Sequence, residues 1–428
     1  MTHKFICKFL TFVTLFLGSE AILADNNSTT FIGYARTGLG FSESGENQVG
    51  FGAPGAPVKY RLGNEADTFV ELGVDYRFAL PDRQSSSGNA PKFQLVAMVS
   101  SYAPFGSSNQ LGIDNISQLY IKVEDVMANE ADVWVGRRYY GRQEIHLNDY
   151  FWLNSGQGAH AGAGVENFEL GYGKFHAAVF KVEDQIDGVG PTINTITFDF
   201  RHDGLNLGAT GELGLWFYAA FRHENVDLNL DSHDGYGLGV WYQHQPIANA
   251  SNVISLTHRS GAAIPQGKIN PQPVREDQGF DLDEARRWEI NNNFLYEPES
   301  NFAVHWTLIY RREESGVIGA EGDELDWLSS GIRPIYYLSD NLNVAFEYGF
   351  DQVENKRTSI DGSLHKGTVA MQFAFKRGYY TRPVLRLFAT YAKWSDEFRG
   401  LVGTSEGNDS YANSTSGWNL GLQLEAWW

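Results

Sequence analysis

Four aromatic residues stand on the polar side of segments in which apolar and polar residues otherwise alternate. They are Tyr34, Phe69, Trp394 and Trp427. Flat aromatic rings bind the apolar C–H faces of sugars, and charged side chains hydrogen-bond the hydroxyl groups at the sugar edges. A line of aromatic rings beside charges is therefore typical of a path for saccharides. A single ring of this kind is more often a packing residue, so the hypothesis depends on all four occurring together.

Charged residues accompany the aromatic ones. Arg36 lies on the same polar side of its alternating segment as Tyr34, and Glu71 lies on the same polar side as Phe69. Arg61 lies between the two segments. The sequence leaves two interpretations open for these charges. They either bind sugar hydroxyls or form ion pairs that line a polar interior, and for each residue taken alone the ion pair is favoured.

A long segment over residues 139–166 combines charges with aromatic side chains, which is typical of a functional loop. The segment includes Arg142, Glu144, Asp149 and Phe151. His146 and Asp149 have a spacing that would suit a metal, but no third ligand is evident, so a solvated or loop-ordering pair is favoured. The Gly/Ala-rich stretch at 156–164 lacks the lysine and helix of a phosphate-binding loop. We therefore expect no cofactor.

The elements that position these residues have a period of two. From Gly417 to Trp428 one parity is apolar and the other is small or polar, with Trp427 as the exception. Residues 68–78 and 342–351 alternate in the same way. Successive side chains of a strand point to opposite faces, so each segment predicts a strand with one apolar face. A soluble β-sandwich has the same period, and alternation alone does not distinguish it from a membrane barrel.

The beginning of the chain predicts export. Residues 1–24 contain Lys4 and Lys8 and then an apolar run that is too short to span a bilayer as a helix. This pattern is typical of a signal peptide and leaves one domain over residues 25–428. The only cysteine lies within the signal peptide, so the mature domain has no disulfide, which suits a bacterial envelope protein.

The amino-acid composition further limits the kinds of protein that this chain can be. The formal net charge is −19, and removing residues 1–24 takes away two lysines and one glutamate, which gives −20. Nucleic acid requires a basic surface, so we expect no such partner. Alternating strands, aromatic residues at 14% and a terminal aromatic favour a lipid-embedded β-barrel in the bacterial outer membrane. In a closed barrel the first and last strands are neighbours, which would bring Tyr34 close to Trp427.

Ordered sequence blocks run through the whole mature chain. They are Gly33-Tyr-Ala-Arg36, Tyr60-Arg-Leu-Gly-Asn-Glu65, Gly136-Arg-Arg-Tyr-Tyr-Gly-Arg142, Gly164-Val-Glu-Asn167, Gly331-Ile-Arg-Pro334, Arg382-Pro383, Phe388-Ala-Thr-Tyr-Ala-Lys-Trp394 and Glu425-Ala-Trp-Trp428. Together these blocks resemble the maltoporin family of sugar-specific outer-membrane porins. The resemblance implies an all-β transmembrane antiparallel β-barrel of 18 strands, with a third loop folded into the pore and three copies assembled as a homotrimer. It also implies an aromatic slide that guides maltodextrins.

The resemblance assigns roles to individual residues. Tyr34, Phe69, Trp394 and Trp427 match slide positions, and Arg36, Arg61, Glu71, Arg142, Glu144 and Asp149 match a polar track. Phe151 matches the tyrosine at the constriction, although Trp152 could take that place. The mid-barrel slide position falls at Val253 or Ile254, and Phe105 is the candidate for a residue that reaches a neighbouring subunit.

The leading hypothesis is a passive channel, not an enzyme, for maltose, maltodextrins or related oligosaccharides. A general cation-preferring porin is the alternative suggested by the negative net charge. A β-rich glycan hydrolase is a third possibility because carboxylates are abundant, but the sequence marks no catalytic pair.

Overall fold

The structure is a computed structural model. It describes residues 27–79, 92–105, 112–126, 131–155, 160–185, 192–228, 231–264, 282–314, 316, 324–356, 358–404 and 408–428. The predicted signal peptide, residues 1–24, lies outside the described residues.

Strands dominate the described residues. The first ten are β1 (Ser28–Ser42), β2 (Asp67–Ala79), β3 (Lys92–Pro104), β4 (Asn115–Glu124), β5 (Asp132–Arg137), β6 (Tyr140–Ile145), β7 (Tyr150–Ser155), β8 (Ala161–Glu169), β9 (Lys174–Gln185) and β10 (Thr192–Asn206). The others are β11 (Gly211–Arg222), β12 (His233–His244), β13 (Ala250–Gly261), β14 (Arg286–Tyr296), β15 (Phe302–Glu314), β16 (Glu324–Tyr337), β17 (Leu342–Asn355), β18 (Ile360–Ala374), β19 (Val384–Trp394) and β20 (Ser416–Trp427). No helix within the described ranges is long and apolar enough to cross a membrane.

Eighteen of the described strands form one antiparallel sheet that closes on itself, and β6 and β7 form a separate hairpin. Closure occurs where β1 pairs with β20 on one side and with β2 on the other. The register places Tyr34 opposite Trp427 and Arg36 opposite Glu425. The predicted 18-stranded antiparallel barrel is confirmed.

The barrel wall is apolar outside and polar inside. On β20, Leu420, Leu422 and Leu424 are 39–46% exposed, whereas Asn419 and Gln423 between them are buried. Side chains that alternate in this way put leucines against lipid and amides against the interior. The burial pattern of the other strands repeats this arrangement, so most polar contacts lie within the lumen.

The two ends of the barrel differ. We call the end with the connections at 43–66 and 395–415 the loop rim, and the end with the short connections at 170–173 and 338–341 the turn rim. The β6–β7 hairpin belongs to the third connection of the loop rim, between β5 and β8.

The hairpin contacts inward-facing side chains of several strands. Arg333 of β16 donates to the carbonyl oxygen of Leu147 at 3.3 Å, and Arg259 of β13 donates to that of Trp152 at 2.8 Å. The Ser155 hydroxyl donates a hydrogen bond to the carboxylate of Asp199 on β10. Since these strands lie in different parts of the wall, the hairpin lies against the inner surface of the barrel.

Candidate functional site

Three of the four predicted aromatic residues gather where the barrel closes. The ring centroids of Tyr34 and Trp427 lie 6.4 Å apart with nearly parallel planes, and those of Tyr34 and Phe69 lie 5.9 Å apart. The strands β2, β1 and β20 are consecutive around the wall, so this register aligns the rings side by side. The expected proximity of Tyr34 and Trp427 is confirmed.

The row of rings continues through residues that the sequence did not identify. The ring of His146 lies 5.7 Å from Trp427, and the ring of Tyr380 lies 5.3 Å from His146. Tyr380 is 44% exposed and therefore offers an open aromatic surface. It lies in the connection between β18 and β19, where a two-residue strand period does not apply. Strand parity consequently could not identify it.

Trp394 lies apart from this row. Its backbone N–H donates a hydrogen bond to the carbonyl oxygen of Thr415, just before β20 begins, whereas Trp427 is the last residue of that strand. At a rise of about 3.3 Å per residue, Thr415 and Trp427 lie about 40 Å apart along β20. Trp394 and Trp427 are therefore at very different heights on the barrel wall. Trp394 is buried and packs against Phe51 and Tyr411. Its role in sugar contact stays a prediction, and its ring is covered in this structure.

One face of Trp427 is also occupied. The guanidinium carbon of Arg382 lies 4.1 Å from the centre of the indole, within cation–π range. Arg382 is held there by an ion pair with Glu425 at 2.7 Å. The guanidinium therefore covers one face of Trp427 and leaves only the remaining surface of the ring open to a ligand.

Arg61 is the centre of the polar side of the row. It donates to the Tyr34 hydroxyl at 2.8 Å, and it pairs with Glu425 at 3.1 Å, Glu65 at 3.2 Å and Asp149 at 3.6 Å. Arg61 is buried, so these partners satisfy a charge that solvent reaches poorly. The Asp149 contact joins the connection at 43–66 to the turn of the hairpin.

Arg36 has a similar arrangement. It pairs with Glu65 at 2.8 Å and with Asp67 at 2.6 Å. Burial by itself would raise the pKa of Glu65, but Lys59, Arg36 and Arg61 outweigh burial and lower that pKa to about 2. Glu65 thus stays ionised, and the ion-pair interpretation of both arginines agrees with the geometry.

The wall also meets the hairpin at Glu71. This carboxylate accepts a hydrogen bond from the Tyr139 hydroxyl at 2.6 Å. The guanidinium of Arg142 lies 3.4 Å from the centre of the Tyr139 ring and 5.1 Å from that of Phe151, and its Nε donates to Asn154 at 3.2 Å. Tyr139 therefore connects two predicted track residues.

Two carboxylates of the hairpin are comparatively open. The side chain of Glu144 is 43% exposed and that of Asp149 is 34% exposed. Partial burial and the Asp149 carboxylate raise the pKa of Glu144 above its ordinary value. Burial and the nearby Arg61 lower the pKa of His146 well below its ordinary value, so its imidazole is neutral at pH 7.

The two positions suggested for a mid-barrel slide residue differ in orientation. Ile254 is 40% exposed on the lipid-facing side of the wall, and Val253 packs against the interior cluster. On the adjacent strand β12, Trp241 faces inward, with its ring 6.0 Å from that of Trp152 in the hairpin. Trp241 is buried, so it packs against the hairpin.

A closed barrel with an apolar outer wall, a polar lumen and a hairpin against its inner surface defines an outer-membrane channel. The sequence model of the LamB porin family matches residues 29–428. The chain belongs to the LamB porin family, and its place is the bacterial outer membrane.

Two solved structures are similar to this chain. The chain is similar to the outer membrane channel DcaP of Acinetobacter baumannii, with a TM-score of 0.54 at 10% identity, over 95% of this chain and 99% of that one. It is also similar to OccD3 (OpdP) of Pseudomonas aeruginosa, with a TM-score of 0.49 at 11% identity, over 95% and 92% of the two chains.

Proposed function

We propose that this channel mediates facilitated diffusion of linear oligosaccharides, with maltodextrins as the leading substrate class. The observation that carries the proposal is the continuous row of Phe69, Tyr34, Trp427 and Tyr380, bridged by His146, with neighbouring ring centroids 5.3–6.4 Å apart. Such a row offers successive stacking surfaces for the C–H faces of a sugar chain.

Hydroxyl groups need polar partners along the same route. The open carboxylates of Glu144 and Asp149 can accept hydrogen bonds from them, and Arg142 can donate. Because Arg36 and Arg61 are already paired, their main role in this proposal is to fix the carboxylates and Tyr34 in place. Each contact is weak and repeated, which permits the sugar to leave as well as to enter.

The proposal includes a passive, non-catalytic mechanism and a homotrimeric assembly, as the resemblance to maltoporins implies. Membership of a porin family gives the hydrolase alternative no support.

The test is single-channel recording with maltooligosaccharides of increasing length. Binding in the lumen should interrupt the ion current, and the block should strengthen with chain length until the row is filled. A disaccharide of different linkage serves as the comparison for selectivity. If every sugar leaves the current unchanged while ions pass freely, sugar transport by this row is excluded.

A general cation-preferring porin is the second candidate. The acidic composition and the open carboxylates of Glu144 and Asp149 favour it. A salt gradient distinguishes the candidates, since this alternative predicts strong cation selectivity in the reversal potential without any block by sugar.

A further inference from the structure

A groove of about 760 Å³ lies on the outer wall across strands β16–β20. Its lipid-facing side chains are apolar or aromatic, with Phe346 51% and Leu420 46% exposed, and buried residues of the inner parity, such as Thr368 and Asn419, lie beneath them. The groove is therefore continuous with the surface that the barrel presents to the membrane.

Strand register explains the groove. Gly367 pairs with Tyr348 on one side and with Tyr391 on the other, and Tyr391 pairs with Trp418. These residues form one row of exposed aromatic side chains that is interrupted at the glycine. A Cβ built on Gly367 would meet no atom within 4 Å, so the interruption is an open slot. Aromatic rows of this kind mark the membrane interface of a barrel.

Two basic residues lie directly beyond the slot, toward the loop rim. His365 and Lys393 are a cross-strand pair on the outer face, and both are exposed. The Tyr348 hydroxyl lies 2.7 Å from Nδ1 of His365. If this hydroxyl donates to Nδ1, the Nε2 hydrogen is free to donate to a further partner.

Within the described part of the chain, Lys393 has no carboxylate partner near the slot. Among the described residues Lys393 forms no ion pair with a carboxylate, and the outward acids Glu354 and Asp361 lie farther toward the loop rim. An anion bound between Lys393 and His365 would pair with the ammonium group and accept a hydrogen bond from the imidazole.

We propose that the groove binds a membrane lipid that carries a phosphate headgroup. Its phosphate contacts Lys393 and His365, and one acyl chain passes through the slot at Gly367 and lies along Val369 and Ala389. The order of a basic pair, an aromatic row and an apolar groove matches the order of headgroup, interface and hydrocarbon in a bilayer. The site is on the outer wall and is independent of sugar transport.

The test uses the full-length mature protein in detergent, with diphosphoryl lipid A as the probe and native mass spectrometry as the readout. The double variant Lys393→Gln/His365→Gln should weaken binding at least about tenfold, since charge-assisted hydrogen bonds are lost. Gly367→Leu should weaken binding similarly by filling the slot. Lys181→Gln is the matched control, because Lys181 is also an exposed lysine of a wall strand and is paired with Glu183; it should bind as the wild type does.

Two further binding measurements identify the ligand. A dephosphorylated lipid A with the same acyl chains should bind the wild type at least about tenfold more weakly, and inorganic phosphate alone should not bind. Unchanged ion conductance of each variant shows that the barrel is folded. The proposal is overturned if the double variant or Gly367→Leu binds lipid as tightly as the wild type, if free phosphate binds equally well, or if Gly367→Leu changes only the oligomeric state.

Discussion

At the scale of single residues, the openness of an aromatic ring decides what it can contact. Trp427 has one face under Arg382, and Trp394 is covered by Phe51 and Tyr411, whereas Tyr380 is 44% exposed. An aromatic residue on lumen parity is consequently only a candidate for stacking. Its neighbours determine whether a sugar can reach it.

Tyr380→Ala should weaken the block of ion current by maltooligosaccharides about fivefold, because one stacking contact is worth about 1 kcal/mol. Trp427→Ala should have an effect in the same direction. Single-channel titration of the sugar measures both. Tyr391→Ala is the control, since Tyr391 is equally aromatic but faces lipid at 53% exposure. An unchanged block in Tyr380→Ala would remove this residue from the path.

The raised pKa of Glu144 predicts that ion selectivity depends on pH. Its pKa is raised by partial burial and by Asp149, so it takes up a proton at a higher pH than an ordinary carboxyl, whose pKa is about 4.3. The group is charged above its raised pKa and neutral below it. Cation selectivity should therefore fall as the pH is lowered toward that value, and Glu144→Gln should lack this part of the change. Reversal potentials between pH 7 and pH 4 measure the effect; identical curves for the two proteins would contradict it.

Residue patterns predicted part of this site. The two-residue period placed Tyr34, Phe69 and Trp427 on the lumen side, and barrel closure brought Tyr34 and Trp427 together. The period could not identify Tyr380 in a connection. It also could not show that Arg382 covers Trp427, because their proximity depends on the packing of a turn against the wall.

At the scale of elements, the β6–β7 hairpin is held against the inner surface of the barrel by side chains of several strands. Its attachments are polar and come from strands that are distant in sequence, including Tyr150 with Glu289 and Ser155 with Asp199. The density of charged and aromatic residues predicted a functional role for this segment. Its partners were not predictable, since single carboxylates on long strands carry no signal of what they bond.

The double variant Tyr150→Phe/Ser155→Ala should loosen the hairpin while leaving the barrel intact. It removes two hydrogen bonds to buried carboxylates, and each hydrogen bond to a charged group is worth about 1.5–3 kcal/mol. We expect a larger and noisier single-channel conductance and a weaker block by sugar. Thermal unfolding of the barrel, followed by circular dichroism, should change little. A conductance identical to that of the wild type would show that these contacts do not hold the hairpin.

At the scale of the whole molecule, stability depends on an apolar wall against lipid. Alternation in the sequence predicted which side chains face outward, but the number of strands followed from the resemblance to maltoporins, because several strands alternate imperfectly. The structure accounts for this: β1 carries Gly38 and Gly40 on its inner parity, where the backbone of β20 approaches Gly38 and the side chain of Gln48, in the connection at 43–66, approaches Gly40.

Leu422→Lys should destabilise the inserted barrel by about 2–4 kcal/mol, the cost of a lysine facing the middle of the bilayer. Leu422→Met is the control, because it preserves the apolar character of the outer face. Urea unfolding in lipid vesicles measures the difference. If the lysine variant is as stable as the control, this part of the wall does not face hydrocarbon.

The most direct test of the central claim is the flux of sugars into liposomes that contain the purified protein. A channel with a stacking row should admit maltooligosaccharides faster than non-stacking solutes of similar size, and Tyr380→Ala/Trp427→Ala should remove this preference while ion conductance persists. Entry rates that depend on solute size alone, in the wild type as in the variant, would contradict the account.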